Sequence, residues 1–179
     1  MLNVKLKKLI DIVGGKEINV SVESCVCEDY NALEKRLTAN RSKDKSLVRL
    51  FEEKLDPHSL TASFVFPEEL SGIDIRDIKK LRPDLRQRGK QVGFSMDYGG
   101  TQFSVSRSLG CSKEEAQGYI DNYWKGFKGQ AEYSSQQKRD GFKNGFVTTY
   151  LHKRHVEKMR TENGAIRGYY ERICMNAPI

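Results

Sequence analysis

The sequence predicts an α+β fold in which a mostly helical body is attached to a small antiparallel sheet. Three observations carry this reading. The first 28 residues alternate and are rich in Val and Ile, the period of a strand with one buried face. After Asp29 the apolar spacing lengthens to that of helices, punctuated by Pro and by capping sequences. One later run, Gly145-Phe146-Val147-Thr148-Thr149-Tyr150, returns to strand composition.

In chain order, Leu9-Ile10-Asp11-Ile12-Val13 and Ile18-Asn19-Val20-Ser21-Val22 read as two strands joined by a Gly14-Gly15 turn, continuing through Cys25-Val26-Cys27 to Asp29. Tyr30 to Leu37 loses the alternation and reads as a helix. Leu47, Leu50, Phe51 and Leu55 give helical spacing across Lys43 to Leu55. Pro57 suits the first turn of a new helix, with His58 beside it. Leu70-Ser71-Gly72 reads as loop. Pro83 opens a helix that runs toward Tyr98 and stops at Gly99-Gly100. Ser112-Lys113-Glu114-Glu115 is a capping box before a helix carrying Ala116, Tyr119, Ile120, Tyr123 and Phe127. Gly126 and Gly129 mark a break before a second helix to about Phe142. A last helix spans Asn163 to Met175, ahead of Pro178.

The length, 179 residues, fits one domain or one compact slice of a larger protein. Apolar runs of only a few residues exclude a membrane span, and no basic-then-apolar leader is seen, so a cytoplasmic location is expected. The four cysteines, Cys25, Cys27, Cys111 and Cys174, form no C-x-x-C pair and are expected as reduced thiols. His152 and His155 lack nearby cysteines to complete a zinc set. The formal net charge of +7 is concentrated. Arg76 to Lys90 carries a local +5, and Lys138 to Arg172 another +5. Two basic stretches suit phosphate contact, and equally suit solvated helix faces.

Arg86, Lys90, Phe94 and Tyr98 are spaced four apart on one predicted helix. Each step of four advances about 40°, so the side chains form a slow spiral down one face, ~18 Å long. Two cations followed by two rings suit a nucleoside triphosphate, cations toward the phosphates and rings beside sugar and base. The alternative arrangement puts Phe94 and Tyr98 in the core with the cations merely exposed.

Four motifs in order resemble family A DNA polymerases, the bacterial DNA polymerase I type. Asp29-Tyr30-Asn31-Ala32-Leu33-Glu34-Lys35-Arg36 is similar to D-Y-S-Q-x-E-x-R, matching at Asp29, Glu34 and Arg36 but not at Asn31 and Ala32. Asp56-Pro57-His58-Ser59-Leu60-Thr61-Ala62 looks like D-x-H-x-x-T-A. Arg86 to Gly99 matches the fingers motif R-x-x-x-K-x-x-x-F-x-x-x-Y-G, with Gly93 and Ser95 departing from the usual flanking residues. Glu171-Arg172 with Asn176 and Pro178 looks like E-R-x-x-x-N-x-P.

The resemblance covers about Asp29 to Ile179 and implies a phage-like polymerase piece: partial palm over 1–36, fingers over 37–144, partial palm strand and helix over 145–179. It implies that Asp29 and the Tyr30 carbonyl bind Mg2+, and that Arg86 and Lys90 act on the departing pyrophosphate with His58 alongside. Phe94 would pack on the sugar, Glu34 would crowd a 2′ hydroxyl, Tyr98 would lie under the templating pair, and Arg172 and Asn176 would touch primer-template DNA. The expected substrates are deoxynucleoside triphosphates, and the expected place the cytoplasm, that of a bacterial host for a phage protein. The chain ends before the family's His-Asp-Glu motif, so the resemblance implies a split or truncated polymerase, inactive alone and completed by a second polypeptide. The alternative is a non-catalytic nucleotide or nucleic-acid binding module.

Overall fold

The computed structural model describes residues 32–149 and 151–178, and the backbone of two short strands before them. The chain divides into two units, Met1–Asn31 and Ala32–Ile179. In the first unit β1 (Leu9–Ile10) pairs antiparallel with β2 (Glu17–Ile18), Leu9 opposite Ile18. This is the antiparallel pairing expected of the first two strands, and the expected Gly14-Gly15 turn lies outside the described residues. Its expected continuation to Asp29 lies outside the described residues.

The second unit is helical almost throughout. α1 (Leu33–Ser42) and α2 (Lys45–Glu52) replace the helices expected over 30–37 and 43–55. The break between them is set by Asp44, whose Oδ1 accepts the backbone N–H of Ser46 and Leu47 and so caps α2. The same buried carboxylate accepts Gln130 N–H through Oδ2 at 3.0 Å, tying α2 to the start of the helix that opens at Lys128. α3 (Pro57–Val65) starts at Pro57 under an Asp56 cap, as Pro57 predicts.

α4 (Ile75–Leu81), capped by Asp74, and α6 (Gln102–Leu109) were not foreseen. Both are short, seven and eight residues, and each follows a stretch that reads as loop or stop, Leu70-Ser71-Gly72 and Gly99-Gly100. Between them α5 (Pro83–Asp97) runs as expected to Tyr98. α7 (Lys113–Gly126) opens on the Ser112/Glu115 capping box and α8 (Lys128–Asn144) follows after Phe127. β3 (Phe146–Thr148) is the predicted late strand, shortened, and its partner β4 (Lys153–His155) pairs with it antiparallel. β4 was missed because Lys153-Arg154-His155 is exposed throughout and carries no apolar alternation. A 3-10 turn (Glu157–Arg160) leads to α9 (Gly164–Asn176).

The larger core joins α1 to α7 around Leu47, Leu50, Leu60, Phe66, Ile78, Val92, Met96 and Tyr123. A smaller one, Val147, Val156, Met159 and Cys174, holds the β3–β4 hairpin against α9. At the centre α3 and α5 cross closely at Gly89. A Cβ there would stand 2.8 Å from Ala62 backbone atoms, so only glycine admits this approach. Burial of Leu85, Gly89, Val92, Gly93 and Met96 turns one face of α5 inward and fixes which face is left for function.

Candidate nucleotide-binding site

The face of α5 opposite its buried stripe carries Arg86, Lys90 and Phe94, with Tyr98 at the C-cap. Phe94 and Tyr98 are exposed, 43% and 53%, which removes the arrangement in which these rings serve as core. Exposed aromatic rings on a rigid helix offer apolar area to a ligand at little entropic cost. The Lys90 ammonium stands 5.6 Å from the Phe94 ring centre. It has no carboxylate partner among the described residues.

The α3–α5 crossing brings His58 to the same place. Its ring centre lies 5.7 Å from that of Phe94. Half-burial, reinforced by the Arg86 and Lys90 cations and opposed by Asp56, pushes the imidazole below its ordinary pKa. His58 is therefore neutral at pH 7, with one nitrogen to donate and one to accept.

Arg86 meets Asp56 in a two-pronged ion pair, Nε to Oδ2 at 2.7 Å and Nη2 to Oδ1 at 2.8 Å. Asp56 also caps α3 by accepting from Ser59 N–H and Oγ–H, each at 2.8 Å. Burial opposes the charged carboxylate, yet the bonds from Arg86 and Ser59 outweigh it and hold Asp56 down to about 2. The carboxylate engages two of the five guanidinium N–H donors and leaves three uncommitted to it. The sequence placed Asp56 inside a motif without a role. Its position directly before Pro57, an N-cap site, was the available signal.

At the other end of the stripe, Tyr98 OH donates to Glu34 Oε1 at 2.7 Å, joining α5 to the first turn of α1. This bond and the Glu34 charge raise the Tyr98 phenol above its ordinary value. Gly99, at φ +70°, follows in the left-handed region, and a Cβ there would stand 2.7 Å from Arg172 Cγ. Glycine thus lets α9 close on the end of α5. Tyr98, Arg172 and Asn176 consequently line one recess with Arg154 and Tyr169. A second groove of about 200 Å³ lies between Glu34, Tyr98, Tyr133, Met175 and Asn176.

The fold thus gathers Arg86, Lys90, Phe94 and His58 along one side of α5, and Glu34, Tyr98, Arg172 and Asn176 around its C-terminal end. Asp29 and Tyr30 lie outside the described residues. Among the described residues no group of three or more His, Cys, Asp or Glu side chains could hold a metal ion. Likewise no described helix is long and apolar enough to cross a membrane.

A family model described as DNA polymerase family A matches residues 16–179. The chain belongs to DNA polymerase family A. Among its relatives, DNA polymerase I of Caldicellulosiruptor bescii is 35% identical over 152 residues, covering 84% of this chain and 17% of the relative. DNA polymerase I of Streptococcus pneumoniae is 36% identical over 152 residues, covering 84% and 16%. The chain therefore spans about one sixth of the length of these polymerases. Among solved structures, the polymerase domain of Pol1 from M. smegmatis, in complex with DNA primer-template and dNTP, superposes with a TM-score of 0.73. It is 29% identical, and the match covers 84% of this chain and 25% of that one. The mostly helical body with a small antiparallel sheet is thus the fold of a polymerase-domain piece, as the motifs implied.

Proposed function

We propose that this chain supplies the nucleotide-binding fingers and part of the palm of a DNA-directed DNA polymerase, which extends a primer 3′ end with deoxynucleoside triphosphates. The observation that carries the reading is the series Arg86, Lys90, Phe94 and Tyr98 on α5, cations half-buried and rings exposed, with His58 against Phe94. Membership of the family, and a neighbour solved with DNA primer-template and dNTP, support the same ligands.

Arg86 and Lys90 meet the triphosphate. Asp56 holds the guanidinium at two donors, so its remaining donors are presented in a fixed direction rather than searched for on binding. Lys90, with no carboxylate partner among the described residues, keeps its full charge for the phosphates and can pass a proton to the departing pyrophosphate. Neutral His58 adds a hydrogen bond beside them. Phe94 packs on the sugar, Glu34 occupies the space a 2′ hydroxyl needs, and Tyr98 lies under the templating pair. Arg172 and Asn176 contact primer-template DNA from α9. Mg2+, with Asp29 and the Tyr30 carbonyl as its proposed ligands, supplies neutralisation of phosphate charge when bound.

A chain one sixth the length of its relatives binds nucleotide but depends on further polymerase segments, such as a second polypeptide, for extension. Titration of the 179-residue chain with a fluorescent deoxynucleoside triphosphate tests the reading. Lys90→Ala is expected to weaken binding about tenfold, near 1.4 kcal/mol. Equal affinity of wild type and Lys90→Ala would sink it. In an enzyme completed by the remaining segments, Phe94→Tyr relaxes discrimination against dideoxynucleotides, and an unchanged dideoxy-to-deoxy incorporation ratio counts against the assignment of Phe94.

A further inference from the structure

Two charged residues that no motif claims stand next to the two ends of the Glu34–Tyr98 bond. Lys35 follows Glu34 on α1, and Asp97 precedes Tyr98 at the end of α5. Lys35 Nζ lies 2.7 Å from Asp97 Oδ1, and the side chains are only 13% and 15% exposed, the most buried ion pair among the described residues. Side chains from two further packed helices bond the pair. Tyr123 OH on α7 is 3.0 Å from Lys35 Nζ and 3.2 Å from Asp97 Oδ1. Gln130 on α8 donates from Nε2 to Asp97 Oδ1 at 3.2 Å, and its Oε1 lies 3.2 Å from Tyr123 OH. The ammonium also sits 5.4 Å from the ring centres of Tyr123 and Phe127. Burial opposes the charge on Lys35, but Tyr123 and Asp97 outweigh it and raise its pKa.

Consecutive residues on α1 thus grip consecutive residues at the end of α5. One helix step turns about 100°, so the two grips pull on α1 from different directions, and α1 cannot roll without breaking one. The outer grip, Glu34 to Tyr98, is exposed and weak by itself. The inner one is largely buried and shared by four helices. We propose that Lys35 and Asp97 are positioning residues for sugar selection: their buried ion pair fixes α1 against the end of α5 and so holds Glu34 and Tyr98 in register. This rests on the reading that Glu34 excludes a 2′ hydroxyl.

The test uses the full chain labelled with [13Cζ]tyrosine, Tyr98 assigned by loss of its signal in Tyr98→Phe, and the phenol titrated by NMR. Lys35→Met removes a cation, which by charge alone drives the Tyr98 pKa further up. Loss of register instead frees Tyr98 from Glu34 and brings it down toward the ordinary value. The expected result is the fall, with the raised value kept in Lys35→Arg. A folded Lys35→Met chain whose Tyr98 stays raised overturns the proposal.

In parallel, Lys35→Met is expected to cut the preference for deoxy- over ribonucleoside triphosphate about tenfold while affinity for the deoxynucleotide changes far less. An unchanged preference overturns the role in selection. A wild-type chain that binds neither nucleotide overturns the nucleotide reading, while the Tyr98 titration still decides whether Lys35 holds the bond. If circular dichroism shows Lys35→Met unfolded, Asp97→Asn, which keeps size and removes charge, replaces it. A lost sugar preference then supports the proposal and a retained one overturns it.

Discussion

Asp56 couples the local folding of α3 to the orientation of the Arg86 guanidinium, the proposed phosphate ligand, so its charge has a measurable cost and benefit. Its carboxyl is held down to about 2 from an ordinary 3.8, because bonds from Arg86 and Ser59 outweigh burial. A carboxyl depressed in the folded state contributes stability above its unfolded pKa and loses it as pH falls through the folded one. The contribution is therefore nearly complete above about pH 5 and is mostly lost as pH falls to about 2, and partial exposure limits it to roughly 1–2 kcal/mol. Urea unfolding at pH 5 and pH 2 measures it. Wild type should lose more stability on acidification than Asp56→Asn by about that amount, and parallel losses in the two proteins would contradict the assignment. The same substitution leaves Arg86 present but no longer held at two donors, which is expected to weaken triphosphate binding less than Arg86→Ala does.

The elements that matter for the site are placed by packing, and one contact decides the placement. Gly89 lets α5 lie against the Ala62 backbone, and this crossing sets His58 beside Phe94. Gly89→Ala must push the helices apart and is expected to destabilise by about 1–3 kcal/mol, with nucleotide affinity falling as His58 and Phe94 separate. Gly118, inside α7 with nothing within 4 Å of a built Cβ, is the control. Gly118→Ala should raise Tm, adding about 0.5–1 kcal/mol through helix propensity. A Gly89→Ala melt no lower than wild type would refute the crossing argument. Sequence periodicity made α5 and α7 legible because each is long and carries a strong start signal, Pro83 and the Ser112/Glu115 box. The candidate site was legible as a helix face wherever residues recur four apart, since regular spacing maps onto one side of a helix. Contacts made across the fold were not. Asp56 with Arg86 spans 30 residues and Lys35 with Asp97 spans 62, and no local pattern encodes either pairing. α4, α6 and β4 were missed for the opposite reason, being short segments stabilised by their neighbours rather than by their own pattern.

Across the whole of the larger unit, the two basic stretches cease to be equivalent once their partners are known. In the first, Arg82 pairs with Asp84 at 2.9 Å, Arg86 with Asp56, and Arg76 with Glu53 at 3.4 Å. Arg88 lies over the Phe66 and Tyr119 rings. Glu53 and Asp56, from outside the stretch, thus offset two of its +5 charges, while Lys79 and Lys80 stay exposed and Lys90 is the cation on the proposed nucleotide face without a carboxylate partner among the described residues. In the second, Lys138 and Arg167 share Glu171, and Arg160 donates to the Phe142 and Lys143 carbonyls at the end of α8. Arg154 and Arg172 form no ion pair among the described residues, and both line the recess beside Tyr98 and Asn176. Release of condensed counterions makes the logarithm of DNA affinity fall with the logarithm of salt by about 0.9 per neutralised phosphate. If the second stretch meets the DNA backbone, Arg154→Ala and Arg172→Ala should each flatten that slope by about 0.9, weakening all sequences alike. Arg82→Ala should leave the slope unchanged, because its charge is already spent on Asp84. Fluorescence anisotropy of a labelled primer-template between low and moderate salt reads all three. A slope flattened equally by Arg82→Ala would show that the DNA tracks summed charge and not Arg154 and Arg172 beside Tyr98, and a wild-type chain with no salt-dependent binding would remove DNA from the proposed partners.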